Sequence, residues 1–182
     1  MGKLFKALEA EHQSFIEKQP LFFVATALEK GRVNVSPKGM DSLRVVSASR
    51  VVWMNLTGSG NETATHLQGS NRITLMFCSF EGKPLTLRLY GKATVYHRRD
   101  KEWDGLVGSF PVSNGNRQII DVAIESVQTS CGMSIPFMDF KGPRDELKNW
   151  AEKQGEERIE QYWRKKNSVS LDGLPTGIIE KQ

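Results

Sequence analysis

The stretch VVWMNLTGSGNETATHL, residues 51–67, joins two kinds of structure through a third. Val51, Val52, Trp53 and Met54 form an apolar run of the kind found in a buried strand. Ala64, His66 and Leu67 fit the opening turns of a short helix. Between them, Thr57-Gly58-Ser59-Gly60-Asn61-Glu62-Thr63 is dense in hydroxyls, an amide and bare backbone. Glycines let a backbone approach a ligand closely, and N–H groups at a helix start carry partial positive charge. Ser59, Asn61 and Thr63 add side-chain donors, so the loop has the chemistry of an anion site. The plainer reading is a strand–helix connection with Asn61 as the N-cap. Two phosphate fingerprints are absent: Thr63 stands where a third glycine would complete G-x-G-x-x-G, and no Gly-Lys-Ser/Thr closes a Walker loop.

Upstream, Leu4, Phe5, Leu8, His12, Phe15 and Ile16 have helical spacing, which predicts a helix over residues 3–18, stopped by Pro20. Leu21–Leu28 is a continuous apolar run, read as a strand buried on both faces. Glu29-Lys30-Gly31 turns it into a second strand, Arg32–Ser36, and Pro37-Lys38-Gly39 breaks that one. Leu43–Val46 and Arg50–Leu56 are the next two strands.

Downstream, Ile73–Phe80 and Leu85–His97 read as strands around the turn Glu81-Gly82-Lys83-Pro84. Gly91, inside the longer one, marks a bulge or bend. A helical stretch at Lys101–Val107 and a strand through Ile120, Val122 and Ile124 follow. Six or seven short strands in antiparallel meander order favour a closed or nearly closed barrel, since closure limits exposed sheet edges. The fold class is mainly β, with flanking helices. From Pro143, placed as a helix N1 residue, Leu147, Trp150, Ala151, Ile159, Tyr162 and Trp163 form an apolar stripe that Gly155 divides. Two units are expected: residues 1–135 as the barrel with its N-terminal helix, and 136–182 as a helical extension and turn-rich tail.

The 182 residues carry a net charge of +4, with no basic stripe interleaved with aromatics, so nucleic acid is not an expected partner. Arg164-Lys165-Lys166 suits the last turn of a helix without any ligand. No apolar run approaches the ~18 residues of a membrane span, and two cysteines do not make a disulfide framework. The expectation is a reduced, cytoplasmic protein. His12, His66 and His97 lack metal-ligand spacing. Cys78 reads as core. Cys131, beside Ser130 and Gly132, reads as a packed thiol, because no base is evident to lower its pKa.

The order of the pieces resembles the pyridoxamine 5′-phosphate oxidase-like family of FMN-binding split barrels. The residues that carry the resemblance are Val33-Asn34-Val35-Ser36-Pro37-Lys38-Gly39, then Val52-Trp53-Met54-Asn55-Leu56 with its polar loop. Asn71-Arg72-Ile73-Thr74-Leu75-Met76-Phe77 and Leu89-Tyr90-Gly91-Lys92-Ala93 complete it, over roughly residues 15–128. Ser130-Cys131-Gly132 with Pro136, then Tyr162-Trp163 and Asp172-Gly173-Leu174-Pro175, are similar to an uncharacterised branch of that family.

The resemblance implies a six-stranded split barrel that binds FMN, with the phosphate held by Ser36, Lys38, Ser59, Gly60, Asn61, Glu62 and Thr63. Glu62 stands where a cation is usual, so its backbone N–H would serve, with the carboxylate turned to solvent. Trp53, Met54 and Asn55 would line the ribityl chain and ring edge, and Thr86 would meet the flavin. The family's flavin lies between two subunits, which implies a homodimer in which Ser130-Cys131-Gly132 approaches from the neighbouring chain. The oxidase's C-terminal Trp- and Arg-rich substrate segment is missing, since the chain has SVSLDGLPTGI there. Flavin-dependent oxidoreduction of another substrate is the implied activity, with no catalytic side chain named. The alternatives are a non-enzymatic FMN-binding or storage module, and a deazaflavin- or haem-binding relative on the same fold.

Overall fold

Arg50–Leu56 does form a strand, and its alternation organises the molecule. Val51 and Trp53 point into the main core, while Val52 and Met54 point the other way, onto a smaller cluster with Trp103, Phe110 and Ile119. The computed structural model describes residues 2–179. In chain order its elements are β1 (Lys3–Phe5), α1 (Ala10–Glu17), β2 (Phe22–Thr26), β3 (Asn34–Lys38), β4 (Leu43–Ser47) and β5 (Arg50–Leu56). There follow α2 (Glu62–Gly69), β6 (Arg72–Cys78), β7 (Thr86–His97), α3 (Lys101–Val107), β8 (Asn116–Ser130), α4 (Glu146–Tyr162) and a π-helical turn, Trp163–Asn167.

All pairings are antiparallel, in the order β3-β2-β6-β7-β8-β5-β4. The fifteen-residue β8 is the hinge of the architecture. One edge pairs with β7 along its length, and the other is shared between β5, at Asn116–Ala123, and β1, at Val127–Thr129. Strands β3 and β4 end the sheet without pairing to each other. The sheet curls until Lys38 of β3 reaches Asn55 of β5, Nζ to Oδ1 3.4 Å, across the seam. This is a split barrel, filled by Phe22, Val24, Trp53, Leu75, Phe77, Leu87, Leu89, Ile120 and Val127.

There are eight strands, not six. Lys3–Phe5 is a strand rather than the start of a helix, because the free edge of β8 takes it up; the helix begins only at Ala10. Pro37 and Lys38 continue β3 instead of breaking it. That strand is an edge, so the missing proline N–H faces away from the ladder. Strand β8 starts four residues before Ile120, with Asn116, Arg117 and Gln118 all buried. Gly91 sits at a register shift, where a Cβ would lie 2.2 Å from the carbonyl oxygen of Ala123.

In the C-terminal part, Gly155 (φ 71°) kinks α4, as the sequence suggests. Pro143 is not N1, since the helix is preceded by Asp145 and residues 131–145 run as an arm without helix or strand. Ala151, Ile159, Trp163 and Ile178 form a third cluster. No helix among the described residues is long and apolar enough to cross a membrane.

Candidate functional site

A half-buried lysine and a buried arginine lie near each other at the mouth of the barrel. Lys38 extends over the Trp53 ring, its Nζ 5.2 Å from the ring centroid, and touches only the neutral oxygen of Asn55. Burial first, and the Arg117 guanidinium second, lower its pKa to about 8. Arg117 itself is 3% exposed, and burial lowers it to about 10. Its Nη1 donates to the carbonyl of Gly60 (3.0 Å) and to Oδ1 of Asn167 (2.7 Å). Among the described residues neither cation has a carboxylate hydrogen-bond partner. Buried charge without a counter-ion is costly, so the arrangement suits an anionic ligand.

The loop before α2 is built to the same end. Its carbonyls turn inward, Gly60 to Arg117 and Gly58 to Nδ2 of Asn167 (3.0 Å). The N–H groups of Gly58, Ser59, Gly60 and Asn61 make no hydrogen bond among the described residues, and residues 58–60 are exposed. The result is a row of free donors at the start of an eight-residue helix.

Asn61 occupies the N-cap position, but its side chain does not cap. It turns into the mouth, where its Oδ1 meets Nδ2 of Asn55 (3.5 Å) and its own Nδ2 is buried without a partner. Trp53 Nε1 is likewise buried and unsatisfied. Orphaned donors beside Lys38 are what a site for a polar, anionic cofactor presents.

Glu62 corrects the sequence reading. Its half-exposed carboxylate is not simply turned to solvent but accepts the Leu171 N–H, at 3.1 and 3.2 Å. A carboxylate stands there because it pins the chain's own tail. Thr65 and Gln68 donate to the carbonyl of Pro175, and Arg32 pairs with Asp172. Thr63 accepts from Asn34 Nδ2 at 3.2 Å, tying α2 to β3, and Ser36 lies half-buried on the same face of β3.

The expected site residues thus separate. Lys38, Trp53, Asn55, Gly60 and Asn61 converge, with Ser36, Ser59, Glu62 and Thr63 beside them. Met54 faces away, toward a cavity of about 520 Å³ lined also by Leu56, Phe110 and Phe140. Thr86 is buried on β7 opposite Ser130, and Gly132 packs on Leu85, so Thr86, Ser130, Cys131 and Gly132 form a second group. No hydrogen bond among the described residues joins the two groups. Cys131 is exposed, not packed, because β8 ends at Ser130 and the chain leaves the sheet there. Cys78 is buried as expected, and burial raises its pKa.

Sequence reasoning missed Arg117, Gln118, His97 and Asn167. Asn55 Nδ2 donates to Gln118 (3.2 Å), and Gln118 lies 3.4 Å from His97 Nδ1, so a polar chain runs inward from Lys38. The signal available was Asn116-Arg117-Gln118 set directly before an apolar strand. It looked like a loop end.

Burial, then Arg99, lowers His97 to about 4. Its pKa is depressed in the folded state, so the unfolded chain binds the extra proton between pH 6.5 and 4, and stability falls as pH drops through that window. His97→Gln is expected to recover about 1–2 kcal/mol at pH 4.5 relative to pH 7, after discount for partial exposure. Urea unfolding of both proteins at the two pH values measures it, and an equal acid loss in the variant would refute it.

Glu9, Glu11 and His12 bring three potential metal ligands together. His12 Nδ1 already accepts the Glu9 N–H (3.1 Å), which leaves the proton on Nε2 and no free lone pair for an ion.

The split barrel, with this mouth, defines a class of small β-barrel proteins. The sequence profile of pyridoxamine 5′-phosphate oxidase matches residues 8–131. The Aspergillus flavus pyridoxamine 5′-phosphate oxidase family protein ustO is 37% identical over 195 aligned residues, covering 96% of this chain and 78% of its own. The chain therefore belongs to the pyridoxamine 5′-phosphate oxidase family. Among solved structures, HupZ of Group A Streptococcus has a TM-score of 0.51 at 22% identity, over 66% of this chain and 91% of that one. A Lactobacillus delbrueckii protein named for pyridoxamine 5′-phosphate oxidase has a TM-score of 0.53 at 18% identity, over 68% and 94%. At these identities the structures speak to the fold alone.

Proposed function

We propose that the protein binds FMN at the barrel mouth and works as a flavin-dependent oxidoreductase. The observation that carries the reading is Lys38: an ammonium with no counter-ion among the described residues, near a row of N–H groups that make no hydrogen bond among them. The flavin would supply the hydride or electron chemistry, and this chain's residues would bind and orient it. Lys38 and the Ser59–Thr63 backbone would hold the phosphate, with Ser36 and the Thr63 hydroxyl beside them. Trp53 and Asn55 would border the ribityl chain. Residues 1–135 form the binding unit in this reading, and 136–182 strap it.

The working form is a homodimer, which lets Thr86 and a partner's Ser130-Cys131-Gly132 complete a site that one chain leaves in two pieces. The absorption spectrum of the purified protein, with the mass of any released ligand, tests the cofactor. FMN is expected to bind more tightly than riboflavin, and equal affinity would remove the phosphate role of the loop. A deazaflavin or haem in the released fraction would replace FMN in the reading. Reduction of the bound flavin by NADH or NADPH separates an enzyme from a storage module.

The tail that stands in place of the oxidase's substrate segment is stitched to α2 through Glu62 and Gln68, and to Arg32 in the β2–β3 connection through Asp172. Accordingly, no appreciable conversion of pyridoxamine phosphate to pyridoxal phosphate is expected. Steady-state turnover of that substrate with oxygen at an ordinary enzymatic rate would overturn this.

A further inference from the structure

Arg117 reaches Gly60 with one nitrogen and lines a second cavity, of about 440 Å³, between the end of β7, the start of β8 and the π-helical turn. That volume lies within the roughly 300–1,000 Å³ of small-ligand sites. Among the described residues its wall carries Arg98, Arg99, Arg117 and Arg164 with one acid, Glu160.

Part of this charge is structural. Arg98 stacks 4.7 Å from the Trp163 ring centroid and pairs with Glu156, and Arg99 holds the carbonyls of Gly177 and Ile178. Arg117 is not used up. Among the described residues only its Nη1 makes hydrogen bonds, and its buried Nε has no partner there. Arg164 is exposed at the rim.

His97 adds a neutral donor. Gln118 gives its oxygen to Asn55, so its Nε2 donates to His97 Nδ1, and the imidazole proton sits on Nε2. The cavity thus presents several donors and, in Arg117 and Arg164, two positive charges without a carboxylate partner among the described residues. An ammonium ligand is excluded by sign, and a single carboxylate leaves donors unmet. A phosphate, with two charges and three terminal oxygens, matches the set. Trp163, Ile178 and Ile179 form an apolar wall beside the donors, which suits the carbon part of an ester.

We propose that this cavity binds the phosphate monoester of a small organic molecule, at a place separate from the Lys38 loop. The inference stands whether or not the loop holds a flavin. Phenyl phosphate and inorganic phosphate, titrated separately into the full chain and its Lys38→Ala variant, test it through the NMR signals of the His97 ring. A saturable shift is expected in both proteins, with phenyl phosphate at least about threefold tighter because its ring removes apolar surface from water. Arg164→Ala should weaken both ligands at least about fivefold, as loss of a charge-assisted contact.

Absence of a saturable His97 response overturns the proposal, as does its loss in Lys38→Ala, or unchanged affinity in Arg164→Ala. Equal affinity for the two phosphates overturns the ester. A response found only in a chain ending at Ile179 would assign the cavity to the protein's own terminus and overturn the site.

Discussion

Lys38→Met is expected to stabilise the ligand-free protein while weakening FMN binding. The first half follows from desolvation. In the folded chain the ammonium is buried, and its pKa falls from 10.5 to about 8. The unfolded chain therefore binds more protons between pH 8 and 10.5, and wild-type stability rises with pH across that window. Below pH 8 the full penalty is present, at most about 3 kcal/mol from the size of the shift. Methionine keeps the stem over Trp53 and removes the charge, so a gain of about 1–3 kcal/mol at pH 7 is expected, shrinking toward pH 10.5.

The second half follows from the same charge. Loss of a charge-assisted bond to a phosphate costs about 1.5–3 kcal/mol, roughly tenfold to a hundredfold in affinity. Riboflavin, without the phosphate, should bind both proteins alike. Thr63→Ala should cost about 0.5–1.5 kcal/mol of FMN binding, as one neutral hydrogen bond. Denaturant unfolding across pH, alongside FMN titration, measures all of this. If Lys38→Met destabilises the apo protein and leaves FMN affinity intact, Lys38 is a seam contact between β3 and β5 and nothing more.

How local the chemistry is decides which parts of the candidate site were legible in the sequence. Lys38 and the 57–63 loop stand out because their chemistry is local: a basic residue on an edge strand, and glycines with hydroxyls before a helix. The alternation of β5 was also legible, yet its consequence was missed. Consecutive residues of a strand face opposite ways, so Trp53 and Asn55 enter the mouth and Met54 cannot. Arg117 and Asn167 act on the loop from 57 and 109 residues away, and no local pattern marks such partners. Glu62 looked like a defect in a phosphate segment because its partner, the Leu171 N–H, lies in a tail whose path depends on the whole fold. Lys3–Phe5 failed for a related reason: three residues carry little periodicity, and an available β8 edge decided their state.

Phe137→Asp combined with Phe140→Asp is expected to convert a dimer to a monomer and to lower flavin retention. The structure shows where cover is still wanted. Helix α4 and the π-helical turn bury Ala151, Ile159 and Trp163 against Ile178, so the C-terminal helices are satisfied within the chain. The arm between β8 and α4 is not. Met133 is 80% exposed, Phe137 82%, Met138 56% and Phe140 57%, four large apolar side chains within eight residues. Backbone bonds from Met138 to Phe80 and from Ile135 to Gly132 hold the arm in place, so it presents a fixed surface.

Monomers seldom leave such a patch bare, and in the proposed dimer a second copy of this chain would cover it and bring Ser130-Cys131-Gly132 to a neighbouring mouth. Burying each aromatic ring is worth about 1.5–3 kcal/mol, so two aspartates should raise the dimer dissociation constant by at least about a hundredfold. Light scattering or sedimentation at micromolar concentration, with FMN present, reads the mass, and dialysis reads the retained flavin. The substitutions lie on exposed positions, so unchanged thermal unfolding at high protein dilution separates lost assembly from lost folding. A wild-type chain that is a clean monomer and still holds FMN tightly would end both the dimer and the shared site.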